Sequence, residues 1–349
     1  MKISTGALLA GALVLSAAGA TPATAADTMK AVPRFVVLPA KPATHAQPST
    51  GLTTWNFTYT YGGNHYSDVF VGNAPSGAAT TTPTFVVPIK IVLSTGQTFS
   101  TSTVQGNGAT ALADTTASPI FTKTVSFREG GARLGMTQYE DAFQRESFWP
   151  QVLTNKGYHV FLGTPTVLPE VTLKVPAKDG KIGTEFGVQV ALVDINYLDA
   201  QVNKIITSNP SITPGSVPIF VMYNSYQTEG GCCIGGWHSA TGTQSYAVFD
   251  YVGKAGVFSQ DVSALSHEMG EWLDDPFTNN NSPCGIYEVG DPLEGDANYG
   301  DFPYTSGGMT YHLQDLAQPP YFGAPTTTSL GGRFSFQGNT SLSVCSNGS

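Results

Sequence analysis

Residues 266–277 read SHEMGEWLDDPF. On a helix turning about 100° per residue, Val262, Leu265, Met269 and Trp272 make one apolar stripe. His267, Glu271 and Asp274 fall together on the opposite side, with Glu268 and Asp275 at its flank. Pro276 disfavours helical geometry at Asp275, so the helix ends there. A His and a Glu four residues apart can reach one ion from one helix face. Glu268, beside that His, stands where the general base of HExxH zinc peptidases holds a water.

The plain alternative is a polar helix face that meets water, and HExxE by itself is a weak pattern. Two features weigh against that alternative. Glutamate is scarce, at 10 of 349 residues, and four of the ten lie between positions 268 and 294. From Asp261 to Asp315 there are 11 carboxylates, and no Lys or Arg occurs between Lys254 and Arg333. Carboxylates crowded without counter-charge raise one another's pKa unless a cation joins them. A divalent metal is therefore expected.

A catalytic zinc takes three protein ligands and a water. The segment IYEVGDPLEGD (286–296) offers Glu288, Asp291, Glu294 and Asp296. Glu288 ranks first as the partner of His267 and Glu271, and Asp291 next. So oxygen-rich a set suits zinc but leaves calcium and manganese open. His238 and His312 are candidates for a further ligand or for a donor to a substrate oxyanion, though a packed, hydrogen-bonded His is the commoner case. A Ser239/His238/Asp250 triad lacks a nucleophile-elbow context and ranks behind.

Outward from this motif, the pattern is mixed. WNFTYTY (55–61), TFVVPIKIVL (84–93), VTLKV (171–175), FGVQVALV (186–193), PIFVMYN (218–224) and SYAVFDYVG (245–253) read as strands, with Pro88 an edge or bulge signal. TQYEDAFQRESFWPQVL (137–153) reads as a helix with Thr137 and Glu140 at capping-box spacing and a kink or early end at Pro150. A second helix is expected near Asn196–Ile206. The stretch 94–118 and most of the chain after Pro276 read as loop. The fold class expected is α+β: a zincin-like mixed sheet with an active-site helix, β-rich before it and loop-rich after it.

Residues 1–25 have the make-up of a signal peptide, with an apolar run from Gly6 to Ala20 ahead of Ala23-Thr24-Ala25. That run is shorter than a membrane span. Residues 26–50 read as a linker or short propeptide-like segment with a short strand at Phe35–Leu38, and residues 51–349 as a single metal-binding α+β domain. The 16 basic and 25 acidic residues leave a net charge of −9, a poor match for nucleic acid or anionic membranes. Four cysteines, Cys232, Cys233, Cys284 and Cys345, allow three pairings. Adjacent cysteines bridge only through a strained ring, and Cys284–Cys345 is the favoured pair.

HEMGEWLDDPF, YEVGDPLEG, YHLQDL and a late Cys resemble the C-terminal pattern of the EXORDIUM/phosphate-induced protein group and its bacterial relatives. The likeness is firm over about residues 230–345 and vague before. It implies an exported, extracellular or wall-associated protein, and its matching positions are His267, Glu268, Glu271, Glu288, Gly290 and Asp291. Pro292 stands where relatives often continue toward a Cys, so disulfide pairing does not carry over.

Together these readings point to a secreted metal-dependent hydrolase, a zincin-like peptidase acting on peptide or protein. His267, Glu271, Glu288 and Asp291 would surround the ion, and Glu268 and His238 would do the chemistry. The rival reading is a non-catalytic exported protein whose acidic cluster holds a structural cation and whose β-rich surface binds an extracellular polymer.

Overall fold

The strand Thr84–Leu93, with the apolar run FVVPIKIVL at its heart, lies inside a sheet of eleven strands. The computed structural model describes residues 33–42, 51–129, 132–283, 287–319, 322, 329–330 and 333–337. All of them fall within one unit, Ala31–Ser349. The signal-peptide reading of residues 1–25 lies outside the described residues.

Thr84–Leu93 pairs in parallel with Val217–Tyr223, which pairs in parallel with Gln244–Tyr251. Gln244–Tyr251 then pairs antiparallel with Cys232–Thr241. The sheet continues through Ser225–Thr228 and Val188–Asp194 to Gly180–Glu185. Parallel neighbours beside antiparallel ones make the molecule a strand-rich mixed α+β protein. Pro88 does not mark an edge. On one side it is the last residue paired with Val217–Tyr223. On the other it falls where the partner changes from Thr166–Val167 to Val171–Val175, so its missing N–H costs no ladder bond.

Alternation along these strands builds a core on each face. Val86, Ile219, Val221, Ala247 and Phe249 point to one side, and Val87, Ile89, Phe220, Met222 and Val248 to the other.

Among the described residues, five α-helices accompany the strands. α1 (Ala111–Ala117) starts at Thr110, whose hydroxyl accepts from the Ala113 N–H. It lies within the stretch read as loop, because one cap and tertiary contact can hold a helix too short to show periodicity. α2 (Tyr139–Ser147) and α3 (Trp149–Val152) divide the segment expected as one helix. The break falls at Phe148, and Pro150 sits in the first turn of α3, where a missing N–H is harmless. The expected capping box is not made: Gln138 is the N-cap, and the Thr137 hydroxyl bonds the Asp141 carboxylate instead.

α4 (Ile195–Ser208) is capped by Asp194, which accepts from the Tyr197 N–H, and lays Leu198, Val202 and Ile206 on the second face of the sheet. α5 (Ser263–Asp274) covers the first face through Leu265, Met269 and Trp272. The indole Nε1 of Trp272 donates to Ser245 Oγ at 2.9 Å, which fixes the helix over the Gln244–Tyr251 strand.

The remaining strands lie mostly in two-stranded ribbons. Thr54–Tyr61 pairs with Asn64–Val71, and Asp301–Ser306 with Met309–Gln314. Cys232 and Cys233 are joined to each other. The pairing favoured from sequence, Cys284–Cys345, lies outside the described residues.

Candidate metal centre

All twelve residues of α5 are buried. The polar side of this helix therefore does not face water. It is covered by the Cys232–Thr241 strand, by residues 287–294 and by Phe35, so each carboxylate there has lost its hydration.

His267 Nε2 lies 3.0 Å from Glu271 Oε1 and 3.3 Å from Asp291 Oδ1. Neither approach is a hydrogen bond, and His267 Nε2 and Asp291 Oδ1 are buried without a hydrogen-bond partner. One ligand atom from each of His267, Glu271 and Asp291 falls within a 4.8 Å group. His238, Glu268 and Glu271 form a second such group, so Glu271 belongs to both. His238 Nδ1 is 3.2 Å from Glu268 Oε2 and 3.7 Å from Glu271 Oε2.

Local backbone explains how these groups meet. Helical spacing stacks His267 and Glu271 one turn apart. Gly290 carries the loop over the imidazole, where a Cβ would stand 2.2 Å from His267 Nδ1. Its N–H donates to Glu271 Oε1 at 3.2 Å. Asp291 follows directly and opens a short 3-10 turn, Asp291–Leu293. On the strand side, a Cβ at Gly236 would stand 2.9 Å from Glu268 Oε1, so glycine leaves room for that carboxylate.

The sequence ranks Glu288 ahead of Asp291, by its likeness to metal sites that a downstream Glu completes. The structure brings Asp291 into the group with His267 and Glu271 and sets the Glu288 carboxylate against that of Glu271. Glu288 is buried, with neither oxygen hydrogen-bonded in the usual way to a donor. Glu294 lies at the margin and accepts the Phe35 N–H at 2.6 Å, while Asp296 is exposed.

Asp274 and Asp275 point elsewhere. Asp274 accepts from Gln144 Nε2 of α2 at 3.0 Å. Asp275 ends α5 and accepts from the Asn279 and Asn280 N–H groups. His312 pairs with Asp261 at 2.7 Å, away from the cluster. Asp250 accepts from Ser225 and Gln227, so no Ser239/His238/Asp250 triad assembles. The His159–Asp141 pair at 2.8 Å had no signal in sequence, since 18 residues separate its members.

Burial pushes the Glu268 carboxyl well above the usual carboxylate range, and Glu271, Glu288 and Asp291 add to it. Glu271 is raised by burial and by Asp291, and Glu288 by burial and by Glu271 and Asp291. Glu294 is pushed up to about 8, first by burial and then by Asp291. His238 is pushed down to about 3 by burial and by His267. Among the described residues no Lys or Arg forms an ion pair with any of these carboxylates. A divalent cation would supply the missing charge, and the unpartnered nitrogen and oxygen atoms are the donors such an ion requires. The residues fit a metal.

Among the described residues no helix is long and apolar enough to cross a membrane. Comparison with protein-family models, with curated proteins and with solved structures finds no match for this chain.

Proposed function

We propose that the chain is a metal-dependent hydrolase of zincin-like design that cleaves peptide bonds, exported from the cell that makes it. The observation that carries this reading is the group of His267, Glu271 and Asp291, whose ligand atoms gather within 4.8 Å while His267 Nε2 and Asp291 Oδ1 have no hydrogen-bond partner to account for them. These three would hold the ion, zinc first, with calcium or manganese as the alternatives for an oxygen-rich set. When bound, the ion supplies Lewis acidity toward a carbonyl and makes water a better nucleophile near neutral pH.

The chain's own residues supply the rest. Glu268 holds Oε2 against His238 and keeps Oε1 without a partner, facing the space that Gly236 leaves free. A buried carboxylate with a raised proton affinity is a stronger base than one in water, so Glu268 is assigned to take the proton of the attacking water. It would then pass that proton to the leaving amine. His238 is assigned as a positioning residue that sets the Glu268 rotamer. Glu288 bears on Glu271 and tunes its charge.

A second reading is a structural cation in a non-catalytic protein. It is favoured by the complete burial of His267, Glu268 and Glu271, each 0% exposed. Elemental analysis separates either reading from an empty acidic cluster: about one divalent ion per chain is expected. A metal-free protein whose melting is unmoved by Zn²⁺, Ca²⁺ or Mn²⁺ would overturn both. Hydrolysis of a general protein substrate that disappears in Glu268→Gln, with the ion retained, selects the catalytic reading.

A further inference from the structure

One of the pieces that cover the cluster is a separate segment laid on like a ligand. Arg34–Val37 pairs in parallel with Cys232–Thr241, the strand that carries Gly236 and His238. The ladder runs on through Leu38 N–H to the His238 carbonyl at 3.2 Å and Lys41 N–H to the Ala240 carbonyl at 2.7 Å. Ser239 Oγ donates to the Leu38 carbonyl at 2.7 Å, and the Ala40 N–H donates to Thr278 Oγ1 at 2.9 Å. Most of this holding power is main-chain, the mode by which an extended peptide adds a strand to an open sheet edge.

One side chain is anchored. Phe35 is 3% exposed, whereas the other residues from 33 to 42 are half-buried or exposed. Its ring sits 4.0 Å from the His267 ring and 4.7 Å from the Phe258 ring, centre to centre. The seat is shaped by glycine: a Cβ at Gly235 would stand 2.7 Å from the Phe35 ring. Arg34 faces Ile234 but Val36 faces Trp237, so the strand bulges across Gly235–Gly236 just where the ring enters. The Phe35 N–H meets Glu294 Oε1 at the rim of the cluster. Charge matches at both ends, with Arg34 on Glu229 and Lys41 on Asp199.

We propose that the edge of Cys232–Thr241 over Trp237–Ala240, beyond its pairing with Ser225–Thr228, together with the seat made by Gly235, Phe258 and His267, is a cleft for an extended polypeptide with an aromatic side chain and basic flanks, and that residues 34–41 are its resident occupant. The proposal rests on the hydrolase reading for its substrate class, and it reconciles that reading with the complete burial of His267, Glu268 and Glu271. Displacing Phe35 uncovers the ring of His267, while α5, the strand and residues 287–294 keep the ligands in place.

The test uses the full chain with a recognition sequence for a site-specific protease placed within residues 43–50. The probes are a fluorescent peptide of the sequence PRFVVLPAKP and its Phe35→Ala version, followed by anisotropy with Zn²⁺ present. The intact chain is expected to bind neither. The cleaved chain is expected to bind the first at least about tenfold more tightly than the second, as for a buried aromatic anchor. Equal binding of both peptides, equal binding to intact and cleaved chain, or retention of the segment until the protein unfolds overturns the proposal. In the uncleaved chain, Phe35→Ala is expected to speed removal of the ion by a chelator about tenfold with circular dichroism unchanged, since one anchor holds the segment. An unchanged rate overturns it as well. Anisotropy without any peptide hydrolysis leaves the cleft standing and removes the hydrolase. Hydrolysis equal before and after cleavage does the reverse.

Discussion

Four carboxylates around His267 carry different burdens, and single substitutions separate them. Asp291 brings an unpartnered oxygen to 3.3 Å of His267 Nε2, whereas Glu288 acts through Glu271. Asp291→Ala is therefore expected to weaken the ion by roughly 100-fold and Glu288→Ala by roughly 10-fold, the usual effect of a neighbour one bond removed from the metal. Titration of both variants with Zn²⁺ checks the ranking, and the reverse order makes Glu288 the ligand. His267→Ala and Glu271→Ala should lose ion and turnover together. Glu268→Gln should keep the ion and lose turnover by about 10²-fold or more, because an amide takes no proton from water. Gly290 is tightly confined, since its Cβ would stand 2.2 Å from His267 Nδ1. Gly290→Ala must push the loop or the imidazole aside, at about 1–3 kcal/mol of stability, and should abolish ion binding. Denaturant melts with and without Zn²⁺ read both effects.

At the scale of elements, α5 works as a double-sided wedge. Its apolar side grips the sheet through Trp272, which is fully buried and hydrogen-bonded to Ser245. Trp272→Ala is expected to cost about 3–5 kcal/mol, measured as a lower urea midpoint with an unchanged slope. The last turn of α5 leans on α2 through Asp274 and Gln144, and burial pushes the Asp274 carboxyl up to about 8. An unfolded Asp titrates near about 4. The folded state thus favours the protonated acid, so its stabilising share is complete below about pH 4 and is lost as pH rises toward about 8. Asp274→Asn should therefore melt like the parent at pH 4 and above it at pH 8.5. Parallel melting curves at both pH values would show that Asp274 is hydrated.

The same sign governs the whole molecule. Burial raises Glu146 to about 8 and Asp315 to about 7, and it holds Glu140, Asp250 and Asp301 well above the carboxylate range. Each favours folding at low pH and loses that contribution as pH climbs through its folded value. The ion-free chain is expected to melt highest near about pH 4–5 and lower by roughly 10 °C at pH 8.5, a few kcal/mol for a protein of this size. Added Zn²⁺ should recover part of the loss at pH 8.5 by binding the folded state alone. A melting temperature that rises from pH 5 to pH 8.5 without metal would contradict the burial of these groups.

What the sequence determined by itself was local or periodic. The 3.6-residue stripe of Val262, Leu265, Met269 and Trp272 placed α5, and Pro276 marked its end, because helix geometry depends on near neighbours alone. The same stretch paired His267 with Glu271, four residues apart. The apolar runs that became the central strands were legible for the same reason. Only tertiary structure decided which carboxylate joins that pair, since Glu288 and Asp291 lie on a loop whose path depends on Gly290 crossing the imidazole. It also decided that Pro88 is interior, by changing the strand partner at that residue. Above all it turned the polar side of α5 from a face toward water into a buried cluster, beneath the Cys232–Thr241 strand, residues 287–294 and Phe35, the last in a segment whose own sequence resembles a linker. Burial and proximity of distant residues belong to the packed chain, and no period of 2 or 3.6 residues encodes them.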